Sequence, residues 1–330
     1  MRAPAFWTAE RAGLAAAALT PFSWLYRFGA RSSEALAQPS VAGLPVICVG
    51  NFTVGGAGKT PTVLALVALL AEAGVSPHIL TRGYGGRERG PLRIDPALHD
   101  ALAVGDEALL LARAAPTWLS RDRAMGAAAA ASAGASVLLL DDGMQSPRLA
   151  KDLCVAVVDG GVGFGNGRVL PAGPLREPLS GGLRRAQALV LVGNDRRGAL
   201  PALGPHGMPV IEADLVPGDE VRALRERPVV AFAGIGRPEK FFETLTESGC
   251  TVIARHAFAD HHRYKPQEIA PIIQSAKERD AVPVTTEKDH VRLPPDTREI
   301  VRALPVTLAW REPEEPRKLL APLVARCRHG

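Results

Sequence analysis

The chain has 330 residues, enough for two domains or one large one. With 47% hydrophobic and 22% charged residues it has the make-up of a soluble globular protein with ample core, and no internal repeat or long low-complexity tract interrupts it. A formal charge of +5 suits an anionic ligand or an anionic membrane surface but is no dense nucleic-acid-binding patch, while four scattered cysteines without a C-x-x-C pair argue against a zinc site and a disulfide framework.

Residues 6–28 combine six aromatics with Arg11 and Arg27, and Arg2 and Arg31 flank them. The uncharged part, Ala12 to Tyr26, is too short to span a bilayer and contains Pro21. A secretory signal is the nearest alternative, with ALA (35–37) as a cleavage site, but Glu10, Arg11 and Arg27 speak against it. A segment lying in the membrane interface, aromatics at headgroup depth and arginines toward anionic lipid, fits better, with simple packing against the domain as the other alternative. It is assigned residues 1–32.

LPVICV (44–49) reads as a buried strand, and Thr60 to Ala73 as a helix closed by Gly74. HILT (78–81) is the next strand, followed by the loop RGYGG (82–86). A helix opens at Gly105 with Asp106 as its expected cap, and the alanine-rich run 124–133 is another. SVLLLDD (136–142), CVAVVD (154–159) and ALVLV (188–192) are apolar strands. Alternating strands and helices predict an α/β core over 33–205, a mostly parallel sheet covered on both faces. Beyond about 205 the pattern restarts: a strand and glycine turn at 229–236, a helix from Arg237, a strand at 251–254, a helix near 266–280, a strand at 281–286 and a tail helix near 317–325. This predicts a smaller α/β domain over 206–330.

The stretch GNFTVGGAGKT (50–60) lies between a strand and a helix, where a phosphate-binding loop belongs, although Thr53 stands where the usual G-x-x-x-x-G-K-[ST] pattern has its first glycine. The cradle is Thr53, Val54, Gly55, Gly56, Ala57, Gly58, Lys59 and Thr60. Its glycines permit inward-turned N–H groups, Lys59 reaches the β- and γ-phosphates, and the Thr60 hydroxyl serves Mg²⁺. Asp141 and Asp142 end a strand where a carboxylate can hold Mg²⁺. Asp106 and Glu107 read first as a cap and a dipole partner, with functional acids as the alternative. His261 and His262 are a base or merely structural. Arg168 and Arg176 in the glycine- and proline-rich segment 163–177 can meet phosphate, and Glu177 can join a metal shell. TTEKDHVR (285–292) reads as a solvated corner.

In combination these motifs resemble the tetraacyldisaccharide 4′-kinase family, the lipid A 4′-kinases of Gram-negative bacteria. The resemblance is carried by SWLY (23–26), GNFTVGGAGKT (50–60), RGYG (82–85), VGDE (104–107), DDGMQ (141–145), GPLRE (173–177), GIGRPEKFF (234–242), FADHH (258–262) with Tyr264, and TTEKD (285–289). It implies a P-loop kinase using ATP and Mg²⁺ to phosphorylate the 4′-hydroxyl of tetraacyldisaccharide 1-phosphate, giving lipid IVA, as a peripheral protein at the cytoplasmic face of the inner membrane. Neither nucleic acid nor an obligate protein partner is implied. By the same resemblance Lys59 and Thr60 hold phosphates and Mg²⁺, Asp141, Asp142 and Glu177 form the acidic metal shell, and Asp106 is the base oriented by His261. Asn51, Arg82, Tyr84 and Arg176 bind substrate. Two departures stand out: Ser146 replaces the family's usual histidine, and Ala57 a common threonine. The alternative is the G-G-x-G-K-T switch class, the partitioning ATPases and metallochaperone GTPases. Its second lysine is replaced here by Val54, and GNDRR (193–197) does not supply an N-K-x-D guanine reader.

Overall fold

The computed structural model describes residues 4–8 and 13–329. Arg2, Glu10 and Arg11 of the expected surface segment lie outside the described residues, as does the Arg31 side chain.

The strands are β1 (Val46–Asn51), β2 (Pro77–Thr81), β3 (Leu92–Arg93), β4 (Thr117–Leu119), β5 (Val137–Asp141), β6 (Leu153–Asp159), β7 (Ala188–Val192), β8 (Val210–Pro217), β9 (Pro228–Ala233), β10 (Thr251–Ala257), β11 (Val282–Thr286), β12 (Arg302–Leu304) and β13 (Val306–Trp310). Nine form one sheet in the order β13-β8-β7-β6-β1-β5-β2-β4-β3, and four form a second, β10-β9-β11-β12. The large sheet is parallel except at its rims, where β3 opposes β4 and β13 opposes β8. Strands β1, β5, β6 and β7 are unbroken apolar runs, buried along their whole length, as parallel strands with both faces covered must be.

One face of the large sheet packs the helices Lys59–Glu72 and Glu314–His329 through Leu66, Leu70, Leu320 and Leu323. The other face carries the helices Arg123–Ser132 and Ala199–Leu203 through Ala127, Ala130 and Leu203. The second sheet is likewise sandwiched, by Phe241, Phe242 and Leu245 on one side and Ile269 and Ile272 on the other. Val291, just beyond β11, packs among Val104, Ala108 and Leu109, so the two sheets share a small apolar seam.

The boundary expected after residue 205 does not coincide with the sheets. β8 continues the large sheet alongside β7, and β13 returns to pair with β8, so the second sheet takes only the chain between them. Sheet membership is decided by backbone pairing between distant segments, which no local pattern of residues reports.

The amino-terminal helix, Leu14–Ala35, runs past the expected end at 32. Its buried or half-buried positions Ala16, Thr20, Ser23 and Arg27 recur at helical spacing and face the protein, where the Ser23 hydroxyl donates to the Val169 carbonyl at 2.8 Å. Phe22, Trp24, Leu25 and Phe28 face outward, each at least 60% exposed. Among the described residues no helix is long and apolar enough to cross a membrane.

The carboxyl ends of β1, β2 and β5 open into the loops that carry the sequence motifs, the place where ligands bind in open α/β sheets. Gly50, at the end of β1, lets Met144 of the acidic turn cross it: a Cβ there would lie 2.5 Å from the Met144 Cβ. Gly50→Ala should therefore cost about 1–3 kcal/mol by overpacking, read from urea unfolding. Wild-type stability would contradict this packing.

Candidate active site

The phosphate loop is held from outside. Val54 donates its N–H to the Pro174 carbonyl at 2.9 Å, Arg176 donates its N–H to the Phe52 carbonyl at 2.8 Å, and Thr53 forms a bridge with Leu175. Thr53 thus occupies an extended, strand-like position where a β-branched residue is at home and glycine is not needed. The left-handed turns fall later, at Gly55 (φ 110°) and Gly58 (φ 91°), where a side chain would be strained. Gly58 precedes the helix Lys59–Glu72, so the Ala57–Lys59 turn delivers that helix's amino end. Thr60 is buried, Lys59 nearly so, and the buried Asn51 donates to the Gly55 carbonyl at 3.5 Å.

Asp141 and Asp142 are adjacent but differ in environment. Asp142 turns at φ 53° and accepts a two-pronged bond from Arg176, at 2.9 and 3.0 Å, with the Lys59 ammonium 3.9 Å away. Burial would raise its carboxyl, but Lys59 and Arg176 outweigh that and hold it below the usual range. Asp141 is 3% exposed; one oxygen meets only the Thr81 hydroxyl, at 3.4 Å, and the other has no partner among the described residues. Burial, reinforced by the charge of Glu107, pushes this carboxyl up to about 7. Arg123, buried beneath the pair, donates to the Asp142 carbonyl at 2.8 Å.

Arg176 is therefore occupied by Asp142 and by the Thr53 carbonyl rather than open to substrate. Glu177 is likewise engaged, paired with Arg185 and accepting from Gln145 at 3.3 Å. Among the described residues no cluster of three or more His, Cys, Asp or Glu side chains is arranged around a common point.

Asp106 is not a cap. Gly105 (φ 92°) takes the cap position and Asp106 is the first helical residue, its side chain turned into the seam between the sheets. A Cβ on Gly105 would lie 2.4 Å from the Tyr84 carbonyl, so glycine lets the RGYGG loop lie backbone to backbone against the helix start. Asp106, 4% exposed, meets His261 Nδ1 at 3.0 Å and Arg292 Nε at 3.3 Å, and both partners come from beyond β9. Burial pushes the Asp106 carboxyl up, but His261, Arg292 and Lys288 outweigh it, so it stays ionised. The hydrogen bond to Asp106 raises His261 in turn. Tyr84, exposed, stands with its ring 5.4 Å from that of His261, and Arg82 beside it is exposed. His262 turns away to Glu268 at 3.1 Å and stacks on Phe258.

The segment expected to be a solvated corner is the seam's polar core. Asp289 is fully buried and accepts from Tyr264 (2.6 Å), Thr286 (2.6 Å), Arg292 (2.8 Å) and the Gly234 N–H (2.9 Å), while Lys288 pairs with Glu107. Lys288, Asp289, Arg292 and Arg123 escaped the sequence reading of individual residues. The one available signal was the density of charge directly after an apolar strand.

A family model for tetraacyldisaccharide-1-P 4′-kinase matches residues 15–325. The chain belongs to that family. It is 54% identical over 329 residues to a tetraacyldisaccharide 4′-kinase of Rhodospirillum centenum, covering 98% of this chain and 97% of that one. To the protein of the same description in Paramagnetospirillum magneticum it is 51% identical over 326 residues, covering 99% and 98%. The crystal structure of LpxK from Aquifex aeolicus in complex with ATP superposes with a TM-score of 0.74 at 29% identity, over 94% of this chain and 99% of that one. The chain is accordingly a lipid kinase of this family, and the switch-type ATPase or GTPase reading falls.

The raised Asp141 makes a prediction about pH. Its folded-state pKa, about 7, exceeds the usual 3.8, so the contribution of its neutral form is complete below about pH 4 and is lost as pH rises through 7. Without divalent metal, Asp141→Asn should gain stability relative to wild type between pH 5 and pH 8, measured by urea midpoints. A difference independent of pH would refute the assignment.

Proposed function

We propose that the chain transfers the γ-phosphoryl group of ATP to the 4′-hydroxyl of tetraacyldisaccharide 1-phosphate, giving lipid IVA, and that Asp106 accepts the hydroxyl proton. The observation that supports the residue assignment is the Asp106–His261 contact, which keeps a carboxylate ionised next to Glu107, whose own charge feels Lys59 of the phosphate loop.

The backbone N–H groups of the Gly55 to Gly58 turn cradle the β- and γ-phosphates, while the Val54 N–H is spent on the Pro174 carbonyl, and Lys59 neutralises charge on the group in flight. Asn51 supports the turn through the Gly55 carbonyl. Mg²⁺ supplies charge neutralisation between the phosphates when bound. The buried, partnerless oxygen of Asp141 and the buried Thr60 hydroxyl suit it. So few protein ligands fit an ion that keeps several waters and binds mainly through substrate phosphates. Asp142, fixed by Arg176, keeps Lys59 in place, and Glu177 orders the wall through Gln145.

Among the described residues the Asp106 oxygen not shared with His261 accepts only the neighbouring Glu107 N–H, at 2.9 Å, and has capacity for the incoming hydroxyl. Asp106 is a weak base because its partners stabilise the anion. It orients the nucleophile and takes its proton late, as suits a transfer that depends on positioning more than on proton abstraction. Exposed Arg82 and Tyr84, the latter beside His261, contact the sugar. The outward aromatics of the amino-terminal helix rest in the cytoplasmic surface of the inner membrane, where a tetraacylated substrate is met.

The direct test uses γ-labelled ATP, Mg²⁺ and the acceptor lipid in micelles. Lys59→Ala should lower kcat by about 10²–10³-fold, as loss of a transition-state charge contact does, and Asp106→Asn by about 10²-fold, as loss of a proton acceptor does. Label released only as free phosphate, irrespective of lipid, would contradict the reading.

A further inference from the structure

The amino-terminal helix does not lie flat on the protein along its whole length. Between it and the segment 167–179 is a cavity of about 280 Å³, lined on the helix side by Thr20, Trp24 and Arg27 and on the other by Arg168, Val169 and Ala172. Its charged lining is cationic, two arginines and no carboxylate, beside the hydroxyls of Thr20 and Ser23. The Arg27 Nε is buried and has no hydrogen-bond partner among the described residues, a costly state for a guanidinium donor. Arg168 is held toward the helix by donating Nη1 to the Thr20 hydroxyl at 2.5 Å. Val169 and Ala172 supply apolar surface, and Trp24, 64% exposed, stands at the border between the cavity and the outward aromatic face of the helix.

We infer that this cavity is a lipid-phosphate site, in which Arg27 and Arg168 bind the phosphate of an acylated headgroup whose chains run along the aromatic face of the helix. The chemistry is specific on three counts. Guanidinium forks match phosphate oxygens, a buried partnerless Nε gains a partner when an anion enters, and an indole at the border suits the join between headgroup and acyl chain. None of Asp106, Lys59 and Asp141 lines the cavity, whose wall at 167–179 includes the segment by which Pro174 and Leu175 hold the phosphate loop. Two lipids present the same group: the acceptor, through its 1-phosphate, and an anionic phospholipid of the bilayer. The first rests on the kinase reading above; the second does not.

The experiment uses the full chain, with Arg27→Gln, Arg27→Lys and Arg168→Gln, each checked for an unchanged thermal midpoint. Arg27 makes no hydrogen bond through Nε among the described residues, so its variants remain informative if Arg168→Gln loosens the helix. In micelles, kcat/KM is measured on the acceptor disaccharide with and without its 1-phosphate. In a second arm, flotation is measured with phosphatidylcholine vesicles with and without phosphatidylglycerol. A loss of about tenfold for Arg27→Gln on the phosphorylated acceptor, absent on the phosphate-free analogue and smaller for Arg27→Lys, assigns the site to the acceptor's phosphate. Loss of phosphatidylglycerol-dependent flotation, with the preference for phosphorylated acceptor intact, assigns it to bilayer phospholipid. Equal losses on both acceptors together with unchanged flotation, or no loss in either arm, overturn the proposal. If the wild type phosphorylates neither acceptor, the kinase reading fails while flotation still decides the site.

Discussion

The structure turns on one buried carboxylate. Asp106 belongs to the large sheet's domain, yet its charge is balanced by His261 and Arg292 from the second sheet. An isolated carboxylate at that depth would be prohibitively costly, so the two sheets must meet there. Arg292 is in turn fixed by Asp289, which Tyr264, Thr286 and the Gly234 N–H also satisfy. The second sheet therefore does more than enlarge the core. It supplies the positive charge that keeps Asp106 ionised, and Lys288 does the same for Glu107.

At the carboxyl ends of the large sheet the same principle separates neighbouring acids. Asp142 meets Lys59 and Arg176 and is held ionised, whereas Asp141 is buried beside Glu107 and is pushed up to about 7. One acid pairs with the phosphate-loop lysine, and the other keeps an oxygen without a partner among the described residues, which is what supports the proposed Mg²⁺ role. The divergence comes from placement, not residue type.

Much of this was legible in the sequence. The apolar runs of β1, β5, β6 and β7 announce a parallel sheet because strands covered on both faces admit no polar alternation, and the strand–loop–helix context of GNFTVGGAGKT identifies a phosphate loop whatever stands at Thr53. Other features were not legible, for physical reasons. Short rim strands such as β3 and β12 lack enough residues for a pattern, and the return of β13 to β8 depends on pairing across about ninety residues. Asp106 resembles a helix cap because an acid at a helix start usually is one, and only its partners across the seam show that it is not. The charges of 285–292 look solvent-facing because sequence cannot show that Asp289 has four donors around it.

The claim that most needs testing is that Asp106 and His261 act as one unit. The decisive measurement is a double-mutant cycle on kcat/KM with Asp106→Asn, His261→Gln and the pair, taken across pH. A unit predicts that the double variant is hardly worse than Asp106→Asn alone, and that the low-pH limb reporting Asp106 moves upward in His261→Gln. Losses that multiply, with that limb unmoved, would mean that His261 contributes independently and that the contact between the sheets does not set the base.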